Sequence, residues 1–342
     1  MILASLAIAM STSAFQPAWW LPGPHAQTIA ARVLRSNTGV HFQRERLELP
    51  DGDFLDLDWV TSAEGKEIRD DAPLVLVLHG LEGSAQSGYA LQLYRELIRQ
   101  SLNPVGLNFR GCSGEPNRLP RAYHSGETGD LAWVAQLLSK RHPQRPLGSV
   151  GVSLGGNVLL KYLGENREQK TVIVAAATIS VPYDLSAGAD HIERGFSRTY
   201  RAFLVRKLKR KVRAKQHVLK QEIDVRSALA ARTFREFDDA VIVPIHGFEN
   251  AEDYYRRSSS NQFLRAIEVP TLLVHSLDDP FLPRDSVPLG IGNENPNIET
   301  AITSYGGHVG FVSGPPWSPV FWAERTAAQF LATRLFNRTD SS

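Results

Sequence analysis

A chain of 342 residues, with 42% hydrophobic and 22% charged residues, has the make-up of a folded globular protein with length for one large α/β domain or two ordinary ones. A net charge of +2 gives no general attraction to nucleic acid, and the single cysteine, Cys112, excludes an intrachain disulfide and suits a reducing compartment. Without a second cysteine or a His-x-x-x-His pair, a zinc site built by the chain is not expected, and no run reaches the about 18 apolar residues of a membrane-spanning helix.

The chain opens on MILASLAIAM, which is apolar but short, and Arg32 is the first basic residue. The charged start of a secretory signal is therefore missing. Met1 and Met10 are the only methionines, and a start at Met10 would leave MSTSAFQPAWW as an ordinary N-terminus. Residues 1–16 are read as an extension, either a mis-assigned start or an unstructured segment. The protein is placed in the cytoplasm, with export as the alternative.

Residues 41–60 read as antiparallel strands. In FLDLDWV, Leu55, Leu57 and Trp59 alternate with Asp56 and Asp58, and Pro50, Asp51 and Gly52 before them are turn residues. LVLVLH (74–79) is a continuous apolar run, as in a strand covered on both faces of a parallel sheet. Helical and strand patterns then alternate: a helix at 88–100, a strand at 103–109, a helix at 127–142, a strand at 147–152, a helix opening at SLGGN, and a strand at 171–178. That alternation predicts a mostly parallel sheet with right-handed crossovers. From 184 to 262 it is replaced by helical patterning, and it resumes with a strand at 270–275, another at 299–304 and a last helix around 319–335. The reading is one α/β domain over 17–336 with a helical cap insertion at 184–262, followed by a polar tail at 337–342.

Within the insertion, residues 194–220 hold eleven Lys and Arg and no acid, and Tyr200, Phe203, Leu204, Leu208 and Val212 recur at helical spacing. This basic amphipathic helix is read first as the solvated outer face of a cap. Peripheral contact of residues 198–220 with an anionic membrane or an acidic substrate is the alternative, and nucleic acid is excluded for want of any accompanying motif.

Residues 150–157, VGVSLGGN, contain G-x-S-x-G, a motif that roughly 0.15 chance matches would supply in a chain of this make-up. Its position decides its meaning. Ser153 follows an apolar strand and opens a helix, the setting in which a sharp turn holds a serine hydroxyl outward as a nucleophile. Gly151 and Gly155 remove side chains where strand and helix approach, and the helix N-terminus favours developing negative charge. A serine needs a histidine base and that base a carboxylate, in the chain order Ser, acid, His in this architecture. His191, His217, His246 and His275 come too early. His308, in SYGGHVGF after the last predicted strand, lies beyond the acidic turn HSLDDPFLP. In that turn Asp279 is favoured as the acid over Asp278, which is given a loop hydrogen-bonding role, while Asp285 is read as a helix-start residue.

The oxyanion donors are expected from the backbone N–H groups of Leu154, directly after the nucleophile, and Leu81, in the HGLEGS loop. His79, at the end of a strand, is read as a brace for that loop, and Cys112 as a small packing residue. Epoxide- and halide-processing relatives of such folds carry Asp where this chain has Ser153. No phosphate-binding glycine motif is present, and no cofactor or metal is expected.

With these residues placed, the chain closely resembles the YheT-like branch of the α/β-hydrolase superfamily. The likeness runs from about Pro17 to Leu335, over PHAQTI, LPDGDFLDLDW, HGLEGS, NFRGCSGEPN, YHSGETGD, GVSLGGN, REFDD, DYYRRSS, DDPFLP and GGHVGF. It implies a charge-relay set at Ser153, Asp279 and His308 and carboxylesterase or lipase-type activity, in a family with cytoplasmic bacterial members and lipid-acting eukaryotic relatives. The expected protein is a serine esterase taking a small-molecule ester or lipid. Thioester hydrolysis or acyl transfer by the same residues, and a non-catalytic binding protein on the same fold, are the alternatives.

Overall fold

The computed structural model describes residues 14–165 and 171–337; the expectations for a Met10 start and for most of the polar tail lie outside the described residues. The first strands are β1 (Val40–Glu48), β2 (Phe54–Ala63) and the short β3 (Lys66–Glu67). They are followed by β4 (Leu74–Leu78), β5 (Asn103–Asn108), β6 (Leu147–Val152), β7 (Ile173–Ile179), β8 (Thr271–Ser276) and β9 (Ile298–Thr303). They form one sheet in the order β1-β2-β5-β4-β6-β7-β8-β9, with β3 paired to β2. Strands β4 to β9 run parallel to their neighbours, and β2 joins them antiparallel through β5.

The apolar runs fold this way because both faces of the sheet are covered. Leu74, Leu76 and Leu78 of β4 point to one side, into a core shared with α3 (Gly129–Arg141) and α4 (Leu154–Gly164). Val75 and Val77 point to the other, against α2 (Gly88–Arg99) and the C-terminal α12 (Trp322–Phe336). The period of two along the strand thus supplies both layers. The β1–β2 ribbon departs from simple alternation, since Asp56 and Asp58 are buried. Each is held by two hydrogen bonds from the arginine opposite it on β1, Arg46 and Arg44 respectively.

Several elements escaped the sequence patterns, the short β3 and three further ones among them. Helix α1 (Gly23–Leu34) precedes the sheet, and a small hairpin of β10 (Val312–Ser313) and β11 (Val320–Phe321) leads into α12. Between β7 and β8 lie α5 (Leu185–His191), α6 (Ser197–Leu219), α7 (Val225–Ala230), α8 (Phe234–Ala240), α9 (Ile242–His246) and α10 (Ala251–Ser258). They pack on a core of their own that includes Leu185, Val212, Phe237 and Tyr254. The short α11 (Ile291–Glu294) precedes β9. No helix of the described residues is long and apolar enough to cross a membrane.

Candidate active site

Ser153 stands between β6 and α4 with φ 52° and ψ −118°, a conformation that non-glycine residues adopt only under constraint. The constraint is visible on both sides. A Cβ at Gly151 would lie 2.5 Å from the Gly155 carbonyl oxygen, and one at Gly155 would lie 2.5 Å from the Leu78 carbonyl oxygen. Strand and helix therefore cross closer than any side chain allows, and the Ser153 N–H is tied to the Ile179 carbonyl at 2.8 Å. Asn157, buried on α4, donates to the carbonyls of Ser125 and Ser258 and accepts from the Ser260 N–H, joining three segments beneath the turn.

His308 follows β9 on the loop before β10. Its Nε2 is 3.1 Å from Ser153 Oγ, and its Nδ1 is 2.7 Å from Asp279 Oδ2. Phe281 lies flat on the imidazole, with ring centroids 4.1 Å apart. Asp279 is buried, and its other oxygen accepts the Phe281 N–H at 2.8 Å. Asp278 points elsewhere, accepting the Gly307 N–H at 2.9 Å and the Ser276 hydroxyl. His275 is buried within β8, and burial pushes its pKa down to about 4. His191, His217 and His246 lie in the last turns of cap helices, and among the described residues none of the three is hydrogen-bonded to Ser153 or Asp279. Asp285 lies in a single 3₁₀ turn, Arg284–Ser286.

What positions the His308 loop was not legible from its own sequence. The His308 N–H donates to Thr28 of α1 and the Val309 N–H to Ser180, each at 2.9 Å, while the Gln27 side-chain amide both donates to and accepts from the backbone of Val312. The buried Arg35, just past α1, donates to the Val309 carbonyl at 2.7 Å and pairs with the buried Glu324 of α12. PHAQTI thus belongs to a clamp on the histidine loop, reached across more than 270 residues.

The HGLEGS loop leaves β4 beside Ser153. Leu81, Leu154, Ser153 and His308 all border one cavity. His79 accepts the Phe109 N–H at Nε2, which leaves Nδ1 as the donor to the Gly80 carbonyl at 2.8 Å; burial holds the ring neutral, with its pKa pushed down to about 3. Glu82 has positive φ (55°) and is held from three directions. Tyr123 Oη accepts its N–H and donates to its carboxylate. Lys207 of α6 donates to its carbonyl, and Lys211 pairs with its carboxylate at 2.8 Å and also lies 3.0 Å from Cys112 Sγ. One turn further on, Lys215 donates to Asn117. Lysines of the basic helix therefore turn inward and bind the loop that carries Leu81. A run of charge in the sequence could not show this, because their partners lie about 100 residues upstream.

The cavity measures about 720 Å³ and runs between the sheet edge and the cap. Its wall is largely apolar, with Leu185, Ile192, Phe203, Leu204, Phe237 and Ile242 from cap helices. Polar groups of the cap also stand on that wall, among them Tyr200, Lys207 and Asp238. Asp238, within REFDD, accepts the Tyr255 hydroxyl at 2.7 Å, and desolvation pushes its carboxyl up to about 7.

Three ligand-type side chains also meet beside the cavity, at His124, Glu127 and His246. They do not fit a metal. Glu127 is committed to Arg121 and the Gly129 N–H, and His124 accepts the Gly126 N–H at Nδ1, which puts its proton on Nε2. Only the His246 Nε2 is left without a partner, and both rings are held neutral by burial.

Comparison with known proteins agrees with this architecture. A family model described as the alpha/beta hydrolase fold matches residues 73–315. An Escherichia coli protein named "Putative esterase YheT" is 39% identical over 95% of this chain and 95% of its own. The bovine "Phospholipase ABHD3" is 32% identical over 89% of this chain and 74% of its own. Among solved structures, the Pyrococcus furiosus esterase Pf2001 superposes with a TM-score of 0.55 at 16% identity, over 86% of this chain and 94% of that one, a likeness of fold. The chain is an esterase/lipase-like member of the α/β-hydrolase family, on its YheT-like branch.

Proposed function

We propose that this protein is a serine hydrolase of carboxylic esters with an apolar acyl group, its substrates drawn from lipids. The observation that carries the reading is the chain of contacts from Ser153 Oγ through the His308 ring to Asp279, opening on an apolar cavity. In this scheme His308 Nε2 takes the Ser153 proton as Oγ attacks the ester carbonyl. Asp279 holds the Nδ1 proton and stabilises the imidazolium. The oxyanion is received by the Leu81 and Leu154 N–H groups, with the positive end of α4 behind them. His308 returns the proton to the departing alcohol, and water then releases the acid from the acyl-enzyme. The names of the relatives, an esterase and a phospholipase, support an ester substrate with a lipid acyl chain.

A fluorophosphonate probe tests the reading directly. The folded wild-type protein is expected to be labelled and the Ser153→Ala variant not, and p-nitrophenyl esters of rising acyl length should show kcat/KM increasing past acetate. Failure of the folded wild type to react with the probe would overturn the hydrolase assignment, and a preference for acetate would overturn the apolar acyl pocket.

A further inference from the structure

Helix α6 sorts its cations by face. Lys207, Lys211 and Lys215, spaced four apart, are bound by the body of the protein at Glu82, Cys112 and Asn117. Arg206, Arg210 and Arg213 fall on the neighbouring face together with Phe203, and all four are exposed. Among the described residues these three arginines make no ion pair or hydrogen bond, so their charge is left to solvent or to a partner.

The same face continues onto α1. The two helices are joined by His25, whose Nδ1 is 3.0 Å from Tyr200 Oη, and by Arg32, whose guanidinium lies 4.9 Å from the centre of the Phe203 ring. Beside Arg32 on α1, Ile29 is 45% exposed and Val33 78%, and Phe203 is 40% exposed. A cluster of large apolar side chains held in water is uncommon unless it meets something. Here it has a particular place, because Ile29, Arg32, Val33 and Phe203 also border the cavity that contains Ser153. The apolar patch is the rim of the substrate cavity, and unpaired arginines flank it.

We propose that the α1–α6 face docks on an anionic lipid surface, with Ile29, Val33 and Phe203 entering the acyl layer and Arg32, Arg206, Arg210 and Arg213 meeting the headgroups. Charge complementarity selects this occupant. A second copy of the chain would bring the same arginine row against itself, and a neutral surface would leave the row unused. Apolar insertion plus several cations also suits an interfacial helix better than either alone. Docked in this way, the protein would draw a lipid ester from the layer into the cavity without exposing the acyl chain to water.

The proposal rests on the ester-hydrolase reading only for its activity arm, and binding is measured separately with Ser153→Ala. That variant is expected to co-sediment with phosphatidylcholine vesicles containing phosphatidylglycerol, far less with phosphatidylcholine alone, and to be released by salt. Adding Arg206→Gln, Arg210→Gln and Arg213→Gln should weaken binding about a hundredfold. On a wild-type background, the same three changes should leave hydrolysis of soluble p-nitrophenyl butyrate unchanged and reduce hydrolysis of an ester presented in the anionic vesicles. Equal binding to both vesicle types, no binding to either, or undiminished binding by the triple variant would each overturn the proposal. So would equal loss of both activities, or a dimer in solution that the triple variant abolishes. Vesicle binding without any ester hydrolysis would instead sink the hydrolase reading and leave the docking surface standing.

Discussion

Two aspartates stand side by side at the end of β8, and the structure makes opposite demands on them. In Asp279→Asn, the Phe281 N–H still requires an acceptor, so the amide oxygen takes the position of Oδ1 and the NH₂ faces His308. A donor there forces Nδ1 to become the acceptor, which moves the ring proton to Nε2, where it confronts Ser153 Oγ at 3.1 Å. The histidine is then the wrong tautomer to accept the serine proton. Losing the base in this manner is expected to lower kcat/KM by about 10⁴, or about 5.5 kcal/mol of transition-state stabilisation at 1.36 kcal/mol per decade. In Asp278→Asn, the amide oxygen keeps the bonds from Gly307 and Ser276, while the replaced oxygen, Oδ2, has no hydrogen-bond partner to lose. That change should cost less than about tenfold. The assay is steady-state hydrolysis of p-nitrophenyl butyrate by both variants, with thermal melts to show that each is folded. Comparable losses in the two variants, or the larger loss in Asp278→Asn, would refute the assignment of roles.

Lys211→Met should leave the Glu82 carboxylate buried with only the Tyr123 hydroxyl, costing roughly 2 kcal/mol of stability because the lysine is itself a third exposed. If the network holds the Leu81 peptide in place, kcat should fall about tenfold at constant KM, with Lys211→Arg recovering part of it; an unchanged kcat would make the network purely structural. The Asp238 carboxyl, raised from 3.8 to about 7, binds a proton in the folded state that the unfolded chain releases between those values. Its stabilising contribution is therefore complete below pH 4 and lost as pH rises through 7. Asp238→Asn should match the wild type at pH 4 and exceed it in urea denaturation at pH 8.5 by roughly 2 kcal/mol, about half of the full linkage value because the group borders the cavity. Parallel stability–pH curves for the two proteins would contradict the raised pKa.

How much of this the sequence disclosed depended on the range of the interaction. The parallel strands were legible because each buries both faces, and a run such as LVLVL has no other comfortable place in a globular protein. The turn at Ser153 was legible because its sterics are local, confined to Gly151 and Gly155. Long-range contacts were not. Helix α1 carries no pattern that announces Thr28 and Gln27 as supports for residues 308–312. The lysines and arginines of α6 look alike in a charge count and separate only when Glu82 and Asn117 are brought to one side of the helix. Asp56 and Asp58 occupy the alternate positions where a solvated face was the natural reading, yet both are enclosed because Arg44 and Arg46 stand opposite them in the adjacent strand.

The place at which the chain leaves the sheet to build α5–α10 has its own consequence. The detour departs from the end of β7 and returns to β8, two strands already paired with each other in parallel, so its length is not constrained by the sheet. Ser153, Asp279 and His308 are carried by the ends of β6, β8 and β9, none of which passes through the detour. Grafting the corresponding stretch from a relative between Ser180 and Pro270 would therefore exchange the cap side of the cavity wall while leaving the strands that carry Ser153, Asp279 and His308 untouched. The molecule is divided into a fixed bench and a replaceable jig, and the fittings that any new jig would have to reproduce include the Lys207 and Lys211 contacts to Glu82 and the Ser258 and Ser260 bonds to Asn157.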